Sequence, residues 1–398
     1  MQADPTREEP VIARIAFVST YPPRRCGIAT FTQDLSSATG DREIVALDPG
    51  EHRLPYSLEV HHRIRRDERS DYARAARALG NCVDAVSIQH EFGIWGGPDG
   101  GYVLDFVEAL SIPAVTTLHT ILREPSTRQR AILCELVARS DATVVMSRSA
   151  AALLAAVYGI DDRELDVIPH GVPDLPLVDP ASVKVGLGVD GREVILSFGL
   201  LGPGKGLELA LDALPAVVAE HPAVCYVIVG ATHPELVRVE GEAYRMRLEA
   251  KVEALGIQDH VRFVDRFVGR VELTRWLEAA DVFVTPYPKL DQIVSGTLSY
   301  AMGAGRAVVS TPYTYAAELL ADGRGMLIAP GSPAALARAL KDILSDRELR
   351  AGLGRRAHAY SRSMVWSAVG NEYRAVFERV TQTGAAPRPS ASLVVVGA

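Results

Sequence analysis

The sequence predicts two doubly wound α/β domains. Three observations carry that prediction. Short β-branched, near-continuously apolar runs recur along the chain, as they do in strands covered on both faces. They alternate with helical patterns, which argues for βαβ units and parallel sheets. The rhythm also stops once, between Val172 and Gly191, where Pro and Asp dominate.

In chain order, the strand candidates of the first half are Ile15–Ser19, Glu43–Leu47, Leu58–His61, Ala85–Gln89, Ala114–Leu118, Thr143–Met146 and Asp166–Ile168. Those of the second half are Val194–Phe198, Cys225–Val229, Val261–Val264, Val282–Thr285, Ala307–Ser310 and Met326–Ile328. Leu207, Leu211, Leu214 and Val218 mark one apolar helix face, with Pro215 expected to kink or divide it. A last amphipathic pattern, Val365 to Val380, has no strand after it. The expected organisation is an N-terminal domain over 1–172, a linker over 173–191, a C-terminal domain over 192–364, a helix over 365–381 returning to the first domain, and a disordered tail over 382–398. Two such domains facing a central cleft would bind ligands at their strand C-termini.

The 398 residues carry a net charge of −7, so no global basic field points to nucleic acid. The basic stretch His61–Arg66 reads as a solvated surface, with peripheral membrane contact as the alternative. No apolar run approaches the ~20 residues of a membrane helix. The four cysteines show no metal spacing, and Cys82, Cys134 and Cys225 read as core residues of a protein in a reducing cytoplasm. No metal site is expected.

Several motifs come directly after strands. Ser197–Gly206 runs from a strand through a Gly-rich turn into a helix. Gly204 and its neighbours allow close backbone approach, and Lys205 adds a cation, so the turn suits a phosphate. The spacing is not that of a Walker A loop. Ser295-Gly296-Thr297 opens a short helix after a Pro-rich loop; free N–H groups, hydroxyls and the dipole suit an anion there. Gly27 opens a helix in the same manner. Arg24 and Arg25 either bind an anion or lie in a solvated loop. His90, Glu91 and Trp95, in Gln89–Gly97, suit sugar binding by hydrogen bonds and stacking; the alternative is a turn around a packed Trp95.

Taken together, Gly199, Lys205-Gly206 and Ala301-Met-Gly-Ala-Gly-Arg-Ala-Val-Val309 resemble the GT-B glycosyltransferases, specifically glycosyltransferase family 4, over roughly Ile15 to Val380. The resemblance implies the GT-B fold and a retaining transfer of a hexosyl group from an activated, nucleotide-linked sugar to a glycan or lipid-linked acceptor, without a bound cofactor. It implies that Lys205 and the Ser295–Thr297 amides hold the leaving phosphate and that His119, Gln292 and Glu91 orient the sugar. Arg266 and His233 stand where the family's donor base and sugar would lie. The chain departs from the pattern at Leu200, where the family has a phosphate-binding Arg. It departs again at Gln292 and Tyr300, where the family has two Glu, the second a ribose ligand. Ser295-Gly296-Thr297 also resembles a loop of the glycogen and maltodextrin phosphorylases. A phosphate-dependent phosphorylase and a non-catalytic sugar-phosphate binder are therefore the alternative readings.

Overall fold

The computed structural model describes residues 13–40, 43–50 and 54–383. The polar N-terminal residues and most of the expected disordered tail, 384–398, lie outside the described residues. Contacts divide the chain into two compact units. One holds the chain up to Arg24, Ile28–Ile168 and the chain from Gly370 onward; the other holds Arg25–Gly27 and Pro169–Val369.

The first unit is a seven-stranded sheet of β1 (Ile15–Ser19), β2 (Glu43–Asp48), β3 (Val60–Arg65), β4 (Ala85–His90), β5 (Ala114–Leu118), β6 (Ala142–Val145) and β7 (Leu165–Val167). The order is β3-β2-β1-β4-β5-β6-β7 and every pairing is parallel. The chain winds outward from β1 to β3, then returns to pair β4 on the other side of β1. That reversal opens a crevice at the C-terminal ends of β1 and β4.

β3 begins later than the expected Leu58 and runs through the basic stretch. Leu58 is exposed in a turn, whereas Ile64 is fully buried and sets the strand's inward face. The charges fall on an edge strand, where they discourage pairing with another chain. Arg65 pairs with Asp71, Arg66 with Asp67 and His61 with Glu43.

The helix Trp366–Thr383 buries Val369, Tyr373, Val376, Phe377 and Val380. In the first unit, Phe377 meets Phe17 edge-on at 6.1 Å and Tyr373 Oη lies 3.0 Å from Thr117 Oγ1. The boundary between the units falls within this helix, between Val369 and Gly370.

The second unit is a six-stranded parallel sheet of β8 (Glu193–Phe198), β9 (Val224–Val229), β10 (Val261–Val264), β11 (Val282–Thr285), β12 (Ala307–Ser310) and β13 (Met326–Leu327), in the order β10-β9-β8-β11-β12-β13. Its strands bury both faces in alternation. Ile195, Tyr226, Ile228, Val282 and Val284 join one core cluster; Leu196, Val227, Phe283 and Val308 join the other. This is why the strands read as unbroken apolar runs. The topological reversal here lies between β8 and β11.

Three expectations need correction. The segment 173–191 is not a free connection, since it belongs to the second unit. The Lys184 ammonium lies 2.5 Å from the buried Asp281 carboxylate, Val189 is buried, and the buried Arg306 guanidinium donates to Val178 O. Pro and Asp shape its path, but buried charge pairing holds it. Pro215 does not divide its helix, which runs unbroken over Leu207–Val218, with Pro215 close to its end. Cys82 is exposed, because it stands in the turn after the helix Arg69–Leu79. Among the described residues no helix is long and apolar enough to cross a membrane.

Candidate functional site

The most developed cluster of polar groups lies in the second unit, after β8 and β11, where the sheet order reverses. β8 ends at Phe198, and Gly199 and Gly230 take positive φ values of 122° and 148°. A Cβ on Gly230 would lie 1.9 Å from Gly199 O, so the backbones after β8 and β9 touch only because that side chain is absent. The Gly-rich turn then presses against the loop after β11: a Cβ on Gly206 (φ 64°) would lie 2.0 Å from Pro286 O. That approach brings Lys205 to Tyr287, the residue after Pro286.

Lys205 Nζ lies 4.7 Å from the Tyr287 ring centroid and 3.4 Å from its hydroxyl. Tyr287 Oη is 3.0 Å from Thr297 Oγ1, which is 3.1 Å from Ser295 Oγ. Ser295 Oγ accepts the Leu298 N–H and so caps the helix Gly296–Gly303. Tyr287 is itself held firmly. Its carbonyl accepts the Thr311 hydroxyl at 2.7 Å, and its ring stacks on Tyr313 at 5.0 Å. Burial opposes ionisation of the Tyr287 phenol, yet the Lys205 ammonium and the hydroxyls of Thr297 and Ser295 hold its pKa below the usual tyrosine value. Among the described residues no salt bridge ties Lys205 to a carboxylate.

The other expected residues of this unit fare differently. Gly204 lies in the turn with open space around it. Gly296 fits tightly, since a Cβ there would lie 2.8 Å from His170 Nε2. Gln292 is turned into its own loop: its side-chain amide donates to Val294 O, and its backbone carbonyl accepts the Tyr315 N–H. Tyr300 is buried in an aromatic cluster, 6.0 Å from His170 and 6.4 Å from Phe198, and belongs to the core. Both therefore leave the set gathered at Lys205. Arg266 already carries a paired charge, with both terminal nitrogens 2.6 Å from the Glu272 carboxylate. His233 caps the helix Pro234–Glu240 through Nδ1.

In the first unit, β4 and β5 end side by side, and His119 N donates to His90 O. His119 Nε2 lies 2.9 Å from Gln89 Oε1, and Gln89 Nε2 donates to Ser87 Oγ. Phe31 meets the His119 ring edge-on at 4.8 Å. His90 points elsewhere. It is fully buried, and among the described residues neither ring nitrogen has a hydrogen-bond partner. Burial pushes its pKa down to about 4, so it is a neutral core imidazole, not a sugar contact. Trp95 is likewise packed, donating to Gln89 O and lying against Tyr72 and Phe106. Of the two readings of that loop, the turn around a packed Trp95 is the one observed. The Glu91 carboxylate accepts the Gly93 N–H; burial raises its pKa, against that bond and the Arg24 charge. Arg24 is half-buried and reaches Leu47 O, and Gly27 opens the helix Gly27–Thr39, where an added Cβ would meet nothing within 4 Å.

Tyr287 is the residue of this cluster to which the sequence reading gave no role. The signal for Tyr287 was its place just after β11, at the reversal, but sheet order is not written in local sequence.

Comparison with known proteins identifies the family. Residues 27–174 match the model for Glycosyltransferase Family 4, and residues 181–360 match that for Glycosyl transferases group 1. The chain is 31% identical over 304 residues to a D-inositol 3-phosphate glycosyltransferase of Xylanimonas cellulosilytica, spanning 69% of this chain and 68% of that one. It is 28% identical over 286 residues to the phosphatidyl-myo-inositol mannosyltransferase of Mycolicibacterium smegmatis, spanning 70% and 68%. The crystal structure of Anabaena Alr3699/HepE in complex with UDP shares the fold with a TM-score of 0.74 at 18% identity, over 92% of this chain and 100% of that one. The chain thus belongs to the glycosyl transferases group 1 family, with the GT-B fold of two Rossmann-like domains, and is a glycosyltransferase.

Proposed function

We propose that this enzyme transfers a hexosyl group, with retention, from a nucleoside-diphosphate sugar to a glycan or lipid-linked acceptor. The observation that carries this reading is the hydrogen-bonded series Lys205–Tyr287–Thr297–Ser295 at a helix start, at the reversal of the second sheet. A cation, hydroxyls and free amide groups at one point suit the oxygens of a leaving phosphate. As the bond from the sugar C1 to the phosphate oxygen breaks, its electron pair moves to the phosphate, where Lys205 and the Gly296 and Thr297 amides stabilise the charge. The acceptor oxygen joins C1 on the same face and passes its proton to the departing phosphate oxygen. His119, fixed against Gln89, would orient the sugar by hydrogen bonding. Two relatives named for inositol-containing acceptors support a phosphorylated polyol, free or lipid-linked, as the acceptor class. The setting we propose is cytoplasmic, a reducing compartment that suits four cysteines without metal-ligand spacing.

Leu200 and the buried Tyr300 supply no charged ligand, which keeps one rival in view: a phosphorylase that binds phosphate and hexose 1-phosphates alone. Calorimetric titration with UDP, GDP, ADP, phosphate and hexose 1-phosphates separates the two. Micromolar binding of one nucleoside diphosphate, with transfer that keeps the anomeric configuration, is the expected result. Binding confined to phosphate or a hexose 1-phosphate would replace the transferase with the phosphorylase.

A further inference from the structure

Hydroxyl protons in the second unit's site can be counted. Two ends of the series are fixed as donors. The Lys205 ammonium has three N–H groups and no acceptor, so at 3.4 Å it donates to Tyr287 Oη. The Leu298 backbone N–H donates to Ser295 Oγ. Between them, Tyr287, Thr297 and Ser295 bring one hydroxyl proton each. The contacts Tyr287–Thr297 and Thr297–Ser295 use one proton each. One O–H therefore remains over, and Lys205 keeps its N–H groups beyond the one on Tyr287. The spare O–H and the remaining Lys205 N–H groups can serve a ligand's oxygens, while the hydroxyl oxygens keep some lone pairs of their own.

We infer that Tyr287 is a positioning residue for the donor diphosphate: its phenol fixes the Lys205 ammonium and couples it to the Ser295–Thr297 helix cap, so that the cation and the helix start act on one oxyanion together. This rests on the reading of the site as one for an activated-sugar donor. The geometry supports the role in three ways. Tyr287 is 3% exposed, so the phenol cannot wander. Its ring is clamped on Tyr313 and its carbonyl on Thr311. The ring face also lies under the Lys205 charge, which favours the ammonium at that spot. Where the family places an Arg, this chain has Leu200, so orientation of the single Lys falls to its aromatic neighbour.

The test uses the full chain, inorganic pyrophosphate and UDP as probes, and the variants Tyr287→Phe, Thr297→Val and their double. Both substitutions keep shape and remove one hydroxyl, and Phe keeps the stack on Tyr313. Tyr287→Phe is expected to weaken pyrophosphate about ten-fold, as loss of a charge-assisted hydrogen bond does, and to lower kcat with the acceptor KM unchanged. Thr297→Val should give a loss of similar size. Because both links belong to one series, the double variant should lose little more than either single one. Unaltered pyrophosphate affinity in Tyr287→Phe would overturn the inference. So would losses that multiply to about a hundred-fold, which independent contacts would give. If Tyr287→Phe fails to fold, Thr297→Val alone decides: affinity equal to the parent's rejects the coupling. If the parent chain binds neither pyrophosphate nor UDP, the donor reading and this inference fall together, whereas parent binding with an unchanged Tyr287→Phe removes only the inference.

Discussion

The C-terminal rims of the two sheets are built on one topology and differ in their polar groups. In the second unit, Lys205 sits beside hydroxyls and a helix start with no ion-pair partner among the described residues, and donors are left over. In the first, Gln89 and Ser87 enclose one side of His119, and His90 is sealed as a neutral ring. The same doubly wound crevice thus yields a lysine–hydroxyl cradle in one unit and hydrogen-bonded and sealed imidazoles in the other. The difference lies in the loops that leave the strand ends. A Gly-rich turn admits a lysine close to a neighbouring loop, whereas Phe31 and Phe92 pack edge-on against the two imidazoles of the first rim. Fold places a site, and the loop residues set its chemistry.

Three experiments try to break that contrast. The largest effect is expected at the charged rim. Lys205→Ala should lower kcat/KM about a hundred-fold or more, since a preorganised cation on a leaving phosphate supplies roughly 3 kcal/mol. Steady-state kinetics on a folded variant checks it, and undiminished turnover would erase the distinction between the rims.

The next effect concerns the sealed imidazoles. His90 in the first unit and His170 in the second both have pKa values pushed down to about 4 by burial, for His170 against a hydrogen bond to Gly171 O. Each folded value lies below the unfolded one, near 6.5. The stability tied to the neutral ring is therefore complete above about pH 6.5 and is lost as pH falls towards 4. Between pH 7 and pH 5 each ring should cost about 2 kcal/mol. His90→Phe should flatten that part of the profile in urea unfolding. A slope as steep as the parent's would show that His90 is open to solvent and that the first rim is not closed.

The smallest effect is expected at His119. His119→Ala should reduce turnover about ten-fold, the scale of one lost hydrogen bond, while His119→Asn keeps part of the activity. If Asn is no better than Ala and a limb of the pH–rate profile vanishes with either, His119 moves a proton and the first rim is not merely a positioning surface.

Local sequence was enough for the strand content, the division into two α/β halves and the Gly-rich and Ser-Gly-Thr segments at helix starts. Strands covered on both faces must be apolar throughout, and Gly-Lys-Gly or Ser-Gly-Thr at a helix start advertises free amides locally. It overstated what depended on where a side chain points. His90, Trp95 and Tyr300 have the chemistry of ligand contacts but lie inside the protein, because burial is decided by elements far away in the chain. The segment 173–191 looked like a linker because its Pro and Asp residues are visible in sequence, while Lys184–Asp281 and Arg306–Val178 are not. Only the tertiary structure brought Lys205 to Tyr287, 82 positions apart in sequence. That pairing needs β11 to lie beside β8, and sheet order is a non-local property: it depends on how all the strands and helices together bury their apolar faces, not on any one stretch of residues.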